Sequence, residues 1–195
     1  MGDVNQRLFL ERLVPRAEGP VVEIGSKDYG STTSFRDLYR GLEYIGTDLQ
    51  PGKGVDVVAD LSAGLGALPE GHFALAICCS VLEHTPRPWL MAENISRLLQ
   101  TGGALYLSVP WVWRYHAYPD DFFRFSPRAV QALFEQFEWV SAAYSTSVSG
   151  EIVSLDLRDF REVDNRMAEY ADTPRGRRKY LPYLMVNMLG RKVRG

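Results

Sequence analysis

The feature that most constrains the fold of this chain is a near-continuous apolar run, HFALAICCS at residues 72–80. A strand with one wet face alternates apolar and polar residues, whereas this run predicts a strand covered on both faces, at the centre of a parallel sheet. It also contains the only two cysteines, Cys78 and Cys79. Because neighbouring strand residues point to opposite faces, we expect two free thiols, which suit a reducing cytoplasm.

Other short apolar segments flank this run and alternate with helical patterns. They predict further strands at residues 20–25, 42–48, 56–60, 104–110, 137–145 and 184–193. Apolar residues at helical spacing predict helices over residues 6–14 and 34–40, from Thr85 to Gly102, and from Ser126 onwards. Strands that alternate with helices predict an α/β fold, with a Rossmann-like, doubly wound, mostly parallel sheet that binds ligands at the carboxyl ends of its strands.

The two last predicted strands are separated by a segment of different character. An amphipathic helix is marked there by Phe160, Val163, Met167 and Tyr170. The two strands lack a crossover helix packed on the sheet, which predicts an antiparallel C-terminal hairpin. The 195 residues have room for one domain, which we expect to span residues 1–195, with a helical insertion at 151–183.

Charge and hydropathy narrow the functional classes. A formal net charge of −2 is unlike the strongly basic surfaces of nucleic-acid-binding domains. No apolar run is long enough to cross a bilayer, and residues 1–16 lack the pattern of a secretion signal. We therefore expect a cytoplasmic protein with a small-molecule substrate and no nucleic-acid or membrane partner. The oligomeric state is not readable from the sequence.

Acidic residues follow three of the predicted strands. Glu23 precedes Gly25 at the end of the first strand, where a carboxylate can lie beside backbone that a ligand approaches closely. Asp48 ends the second strand, where doubly wound folds place an acid against ribose hydroxyls. Asp60 ends the third strand, where it could accept a hydrogen bond from an adenine amino group or cap a turn. The short motif at Glu23 and Gly25 is also common as an ordinary strand exit.

A longer series of motifs carries a more specific signal. Its members, in chain order, are Asp60, Leu68-Pro69, Phe73, Val81-Leu82-Glu83-His84, Arg97-Leu98, Gly102-Gly103 and Pro110. Their order and spacing resemble the central part of class I S-adenosylmethionine-dependent methyltransferases, particularly the group related to ubiquinone-biosynthesis enzymes. The resemblance implies S-adenosylmethionine as the cofactor, held by Glu23, Gly25, Ser26, Asp48, Leu49, Asp60, Leu61, Ser80 and Val81.

Two positions depart from that family's pattern. Lys27 stands where the first loop of the family usually has its second glycine, and its side chain could crowd the methionine part of the cofactor or redirect the loop. Ala74 stands where an aspartate commonly follows Phe73, a change that we expect to cost little. The departure at Lys27 leaves open a scaffold that keeps the fold without methylating.

The segment after the fifth predicted strand, residues 111–126, is expected to carry the chemistry as a mobile lid. His116 is the first candidate for a general base, because an unperturbed imidazole titrates near neutral pH, although it could equally be a structural histidine. Asp120 and Asp121 could orient His116, bind the acceptor, or form a turn with an ion pair to Arg124. His84 could be structural or a second base. The acceptor could be bound by Arg124 and by the aromatic residues Trp111, Trp113, Tyr115 and Tyr118.

These residues predict methyl transfer to an oxygen or nitrogen of a polar small molecule, sugar-like or a natural-product intermediate. A metal site built from His84, His116, Asp120 and Asp121 is conceivable, but no diagnostic spacing supports one, so none is predicted. A nicotinamide-dependent oxidoreductase would need G-x-G-x-x-G, which Lys27 interrupts. An RNA methyltransferase could use the basic residues 175–179, a cluster that more often forms a solvated loop.

Overall fold

The structure is a computed structural model that describes residues 2–13, 17–30, 34–117, 119–158 and 183–194. These residues form a single sheet from eight strands: β1 Val21–Ile24, β2 Tyr44–Asp48, β3 Val57–Val58, β4 Phe73–Cys79, β5 Leu99–Val112, β6 Phe137–Thr146, β7 Ile152–Ser154 and β8 Leu184–Lys192. The helices are α1 Gly2–Leu13, α2 Pro88–Leu98 and α3 Pro127–Leu133, with 3-10 turns at Arg36–Tyr39 and Leu82–His84.

The strand order is β3-β2-β1-β4-β5-β8-β6-β7. Strands β1 to β5 pair in parallel, and β8 lies antiparallel between β5 and β6. The predicted α/β class, the mostly parallel sheet and the antiparallel C-terminal pair are therefore confirmed. The chain order reverses between β1 and β4, and in such sheets ligands bind in the crevice beyond the carboxyl ends of the strands at this switch point.

Each face of the sheet has its own apolar core. On one face Cys78 lies with residues of α2 and α3, and on the other Cys79 packs with residues of α1. The two side chains sit on opposite faces of the sheet, as the strand pattern predicts. Phe9 of α1 stacks on Tyr106 of β5 with ring centroids 4.8 Å apart, and both side chains are fully buried. Burial of an aromatic side chain of this kind contributes about 1.5–3 kcal/mol to folding.

Helix α1 is also attached through buried amide side chains. Asn5 donates to the carbonyl oxygens of Thr146 and Val148, 2.8 and 2.9 Å away. Gln6 donates to the hydroxyl of Ser80 at 3.3 Å and to that of Ser108 at 3.2 Å. These contacts hold α1 against the carboxyl end of β4, which borders the switch point.

Three predicted element boundaries need correction. The helix predicted over residues 34–40 is only a 3-10 turn, after which Gly41 has a φ of +88°. Helix α2 ends at Leu98 rather than at Gly102, because β5 begins at Leu99 and pairs with Phe73. The start of the predicted helical insertion forms the short strand β7, which pairs with β6.

Some expectations fall outside the described residues. The helix marked by Phe160, Val163, Met167 and Tyr170 is among them, as are Tyr118 and the basic cluster at 175–179. Of the helices in the described ranges, none has the length and apolar character of a membrane span.

Candidate functional site

The loops that follow β1 and β4 touch each other at the switch point. A Cβ atom added to Gly25 would lie 2.3 Å from Cγ2 of Val81, and Gly25 has a φ of +76°, so both space and backbone require glycine there. Ser80 is the one non-glycine residue with positive φ, at 55°, among the described residues. This turn directs Val81 towards β1. The predicted cofactor residues Gly25, Ser80 and Val81 are thus brought together.

Asp48 ends β2 beside the first loop. Its carboxylate accepts long hydrogen bonds from the backbone N–H of Lys27 at 3.2 Å and of Gln50 at 3.3 Å. A carboxylate has about four lone-pair positions, so two such bonds leave acceptor capacity for ribose hydroxyls.

The side chain of Lys27 extends towards the loop after β2. Its Nζ donates to Oε1 of Gln50 at 3.0 Å, and its methylene groups lie against Gly52. The backbone N–H groups of Gly25 and Ser26 still bond the carbonyl of Thr47, at 2.8 and 3.1 Å. The loop therefore keeps its attachment to β2 with a lysine at the family's glycine position.

Other observations also fit S-adenosylmethionine. The hydroxyl of Ser26 is buried and has no hydrogen-bond partner among the described residues, so it can serve a polar ligand atom. Leu49 and Val58, at the carboxyl ends of β2 and β3, are each 52% exposed. They present apolar surface on which an adenine ring could pack.

Three predicted cofactor residues are engaged within the protein, two through hydrogen bonds and one through burial in the core. Glu23 accepts a hydrogen bond from the hydroxyl of Tyr44 at 2.6 Å. Oδ1 of Asp60 accepts from both the backbone N–H and the hydroxyl of Ser62, which is the turn-capping arrangement. The side chain of Leu61 is buried in the core. Their predicted roles towards the cofactor stay predictions.

A second group of polar residues lies next to Val81. Glu83 and His84 follow in the 3-10 turn after β4, and His116 and Asp121 come from the segment after β5. The backbone N–H of Phe122 donates to the carbonyl of Glu83 at 2.8 Å and ties that segment to the turn. The structure thereby brings together two regions that are far apart in the chain.

Glu83 is the residue that sequence reasoning missed. Its side chain is 0% exposed, and neither carboxylate oxygen has a hydrogen-bond partner among the described residues. Burial raises the pKa of Glu83 to about 8. The available signal was an acidic residue that directly follows the apolar pair Val81-Leu82, shortly after the end of a central strand.

His116 is held by Asp121, which is itself held by Arg124. Its backbone N–H donates to Oδ2 of Asp121 at 2.8 Å, and its Nδ1 lies 3.3 Å from the same oxygen. Arg124 binds Asp121 through two nitrogens, at 2.5 and 2.8 Å, and lowers the pKa of Asp121 to about 2. Burial, followed by the neighbouring His84, lowers the pKa of His116.

The remaining predicted residues of the segment 111–126 contact one another, the core or the start of β8. Asp120 accepts from the hydroxyl of Tyr115 at 2.9 Å, and Tyr115 itself is 68% exposed. Trp113 packs edge-on against Tyr183 at 4.5 Å between ring centroids, and Trp111 packs against the core. Asp121, rather than Asp120, contacts His116. The ion pair with Arg124 is also made by Asp121.

Comparisons with known proteins agree with this geometry. Residues 29–107 match the methyltransferase-domain family. An uncharacterized methyltransferase from Mycobacterium avium is 32% identical over 103 residues, which are 48% of this chain and 40% of that protein. The chain thus spans about two fifths of the length of the curated relatives it matches.

Solved structures share the fold. A SAM-dependent methyltransferase from Archaeoglobus fulgidus superposes with a TM-score of 0.60 at 17% identity, over 96% of this chain and 93% of that one. The cyclase SpnF superposes with a TM-score of 0.61 at 15% identity, over 98% of this chain and 81% of that one. At these identities the superpositions show the fold alone.

Over residues 29–107 the chain is similar to the methyltransferase-domain family, and its fold is that of solved S-adenosylmethionine-dependent methyltransferases. The predicted Rossmann-like fold is confirmed, and these similarities agree with the predicted superfamily and with S-adenosylmethionine as the cofactor. The acceptor is not identified by these comparisons.

Proposed function

We propose that this protein transfers the methyl group of S-adenosylmethionine to an oxygen or nitrogen of a polar small molecule. The observation that carries the proposal is the Asp121–His116 pair, which lies beside the turn after β4, and this turn contacts the loop after β1. An acid–histidine pair next to a cofactor crevice is the arrangement expected where a proton leaves the nucleophile.

The bound cofactor supplies an activated methyl group on a sulfonium, so the protein mainly has to orient the acceptor and remove a proton. His116 is suited to the second task. Its Nδ1 faces the carbonyl of Arg114 and the carboxylate of Asp121, both 3.3 Å away, so the proton resides on Nδ1 and Nε2 has a free lone pair. Arg124 fixes Asp121, and Asp121 therefore fixes the tautomer of His116.

We expect residues 111–126 to act as the lid over the acceptor, with Trp111, Trp113 and Tyr115 lining its pocket. Arg124 is already paired with Asp121 in this structure, which favours a neutral polar acceptor, such as a sugar-like molecule, over an anion. Aromatic side chains with polar groups between them suit such a ligand. The free thiols on β4 suit a reaction in the reducing cytoplasm.

Cofactor binding is the first test of this proposal. In calorimetry, S-adenosylhomocysteine should bind in the low-micromolar to submillimolar range, about 5–8 kcal/mol, while NADH should not bind. Absence of S-adenosylhomocysteine binding in the folded protein, together with tight NADH binding, would favour the oxidoreductase alternative and refute methyl transfer. Binding of S-adenosylhomocysteine with no methylated product from any metabolite mixture would favour the non-catalytic scaffold.

A further inference from the structure

Three atoms that can each bind a cation converge beside the proposed acceptor site. Oε1 of Glu83 lies 3.7 Å from Nε2 of His84 and 3.8 Å from Nε2 of His116. The potential ligand atoms of these three residues all lie within 4.8 Å of one another. No other group of this kind occurs in the part of the chain that the structure describes.

Hydrogen bonds on the far side of each imidazole determine which nitrogen carries the proton. Nδ1 of His84 lies 2.6 Å from the carbonyl oxygen of Asp120, and Nδ1 of His116 lies 3.3 Å from that of Arg114. A carbonyl oxygen can only accept, so both Nδ1 atoms carry protons, and in the neutral imidazoles both Nε2 atoms present lone pairs to Glu83. With Glu83 ionised, three acceptors face each other in a buried space, and they repel one another unless a proton or a metal ion lies between them.

We propose that Glu83, His84 and His116 bind one divalent transition-metal ion through Oε1 of the carboxylate and Nε2 of each imidazole. Two imidazoles and one carboxylate form a donor set that suits zinc and other first-row divalent ions. Ligand atoms about 2.1 Å from a tetrahedral zinc are roughly 3.4 Å apart. The 3.7 and 3.8 Å separations of the proposed ligands need only small side-chain shifts to reach this value.

The buried carboxylate gives independent support. Glu83 is fully buried, and both of its oxygens lack hydrogen-bond partners among the described residues. Leaving a buried acceptor unsatisfied costs about 1–3 kcal/mol, and more for a charged group. A metal ion bound by one or both oxygens would remove this cost.

The surroundings also resemble the outer shell of known metal sites. Ligating histidines usually donate their second ring N–H to a backbone carbonyl or a carboxylate, which fixes ring orientation and strengthens the donor nitrogen. His84 has the carbonyl of Asp120 in that position, and His116 has the carboxylate of Asp121. Arg124 in turn holds Asp121.

The metal-binding inference stands on this geometry alone, and only the metal's role rests on the proposed methyl transfer. Three protein ligands leave a coordination position for the acceptor, whose hydroxyl pKa a bound metal would lower. In the metal-bound site His116 would hold the ion instead of taking the proton, and the proton released from the metal-bound hydroxyl would pass to solvent water.

Metal titration of the chelator-treated protein tests the inference directly. We expect one equivalent of Zn²⁺ to remain bound after gel filtration, and Co²⁺ to give visible d–d absorption bands that Zn²⁺ abolishes. The chain has three histidines, so NMR can follow each one. The ring signals of His84 and His116 should respond to Zn²⁺, whereas His72, whose Nε2 pairs with Glu43 at 3.0 Å, should not.

Matched variants separate this site from adventitious binding. Glu83→Gln and His116→Asn should each weaken Zn²⁺ binding by more than the roughly 10–100-fold typical of losing an outer hydrogen-bond partner. His72→Asn should bind Zn²⁺ as the unmodified protein does. His116 is only half-buried, so His116→Asn remains decisive if Glu83→Gln does not fold.

Absence of stoichiometric Zn²⁺ or Co²⁺ binding to the folded protein would overturn the inference. Binding that survives both Glu83→Gln and His116→Asn would also overturn it. S-adenosylhomocysteine binding, measured on the same samples, distinguishes the two proposals. Cofactor binding without metal binding refutes only the metal site, and metal binding without cofactor binding refutes only the proposed methyl transfer.

Discussion

The candidate site has two halves: a cofactor half formed by the loops after β1, β2 and β3, and an acceptor half formed by the turn after β4 and the segment after β5. The halves differ in whether their carboxylates accept hydrogen bonds. In the cofactor half, Asp48 and Asp60 accept hydrogen bonds from backbone N–H groups of their own or neighbouring loops. In the acceptor half, Glu83 is buried without a hydrogen bond, facing the lone pairs of His84 and His116. The cofactor half is therefore organised by local backbone, whereas the acceptor half needs a further positive charge or proton to be complete.

The largest effect is expected from the acceptor half. His116→Ala should leave cofactor affinity unchanged but reduce turnover by about 10²–10⁴-fold, because it removes the group that takes the acceptor's proton or, in the metal-bound site, a ligand of the ion that lowers the pKa of the acceptor hydroxyl. Steady-state kinetics with an identified acceptor, beside calorimetry with S-adenosylhomocysteine, would measure both. His72→Ala is the matched control and should alter neither. If His116→Ala kept full turnover, proton removal would have to be assigned to another residue or to solvent.

A smaller effect is expected from the cofactor half. Asp48→Ala should weaken S-adenosylhomocysteine binding by roughly 1.5–3 kcal/mol, because it removes a charged acceptor for ribose hydroxyls. Asp60→Ala, which breaks the turn-capping bonds to Ser62, is the comparison variant. Calorimetry on both folded variants decides the point. Unchanged affinity in Asp48→Ala would mean that Asp48 only fastens its own loop.

The free energy of unfolding should distinguish a carboxylate without hydrogen-bond partners, Glu83, from one with backbone partners, Asp48. Glu83→Leu should raise the free energy of unfolding of the metal-free protein by about 1–3 kcal/mol, because it removes a buried, unsatisfied polar group. Asp48→Leu should not stabilise the protein, since the aspartate already has backbone partners. Urea denaturation of both variants would test this difference. If Glu83→Leu instead lowered the free energy of unfolding by about 2–5 kcal/mol, as a core cavity does, the carboxylate would have a hydrogen-bond or ionic partner in solution.

The smallest effect concerns the altered first loop. Lys27→Gly should lower the free energy of unfolding by roughly 0.5–1 kcal/mol through chain entropy. It should change S-adenosylhomocysteine affinity by less than tenfold, because the lysine side chain lies along the loop after β2. Denaturation and calorimetry measure the two quantities. A tenfold or larger gain in affinity would show that Lys27 obstructs the cofactor.

Much of the fold was predictable because its signals are local. The apolar run of β4 predicted a central strand, and the Ser126-Pro127 pair predicted the start of α3, where the Ser126 hydroxyl accepts from Ala129 N–H at 3.1 Å. Boundaries were less accurate where tertiary pairing competes with helix formation. Helix α2 stops at Leu98 because the next residue pairs with β4.

The acceptor half could not be read in the same way. Sequence spacing identified His84, His116 and Asp121 separately, but not that their segments meet or that Glu83 is buried between them. Only the packing of the segment after β5 on the turn after β4 shows that the carboxylate is buried and lacks a partner.

The sequence alone therefore determined the α/β class and predicted the superfamily and the cofactor, because period, capping and motif spacing are properties of neighbouring residues. The tertiary structure decided which polar groups face one another. Burial and convergence depend on contacts between segments that are distant in the chain, and no local pattern encodes them. For this reason the contact between His116 and Asp121, and the proposed metal site with Glu83, follow only from the packing of the segment after β5 on the turn after β4.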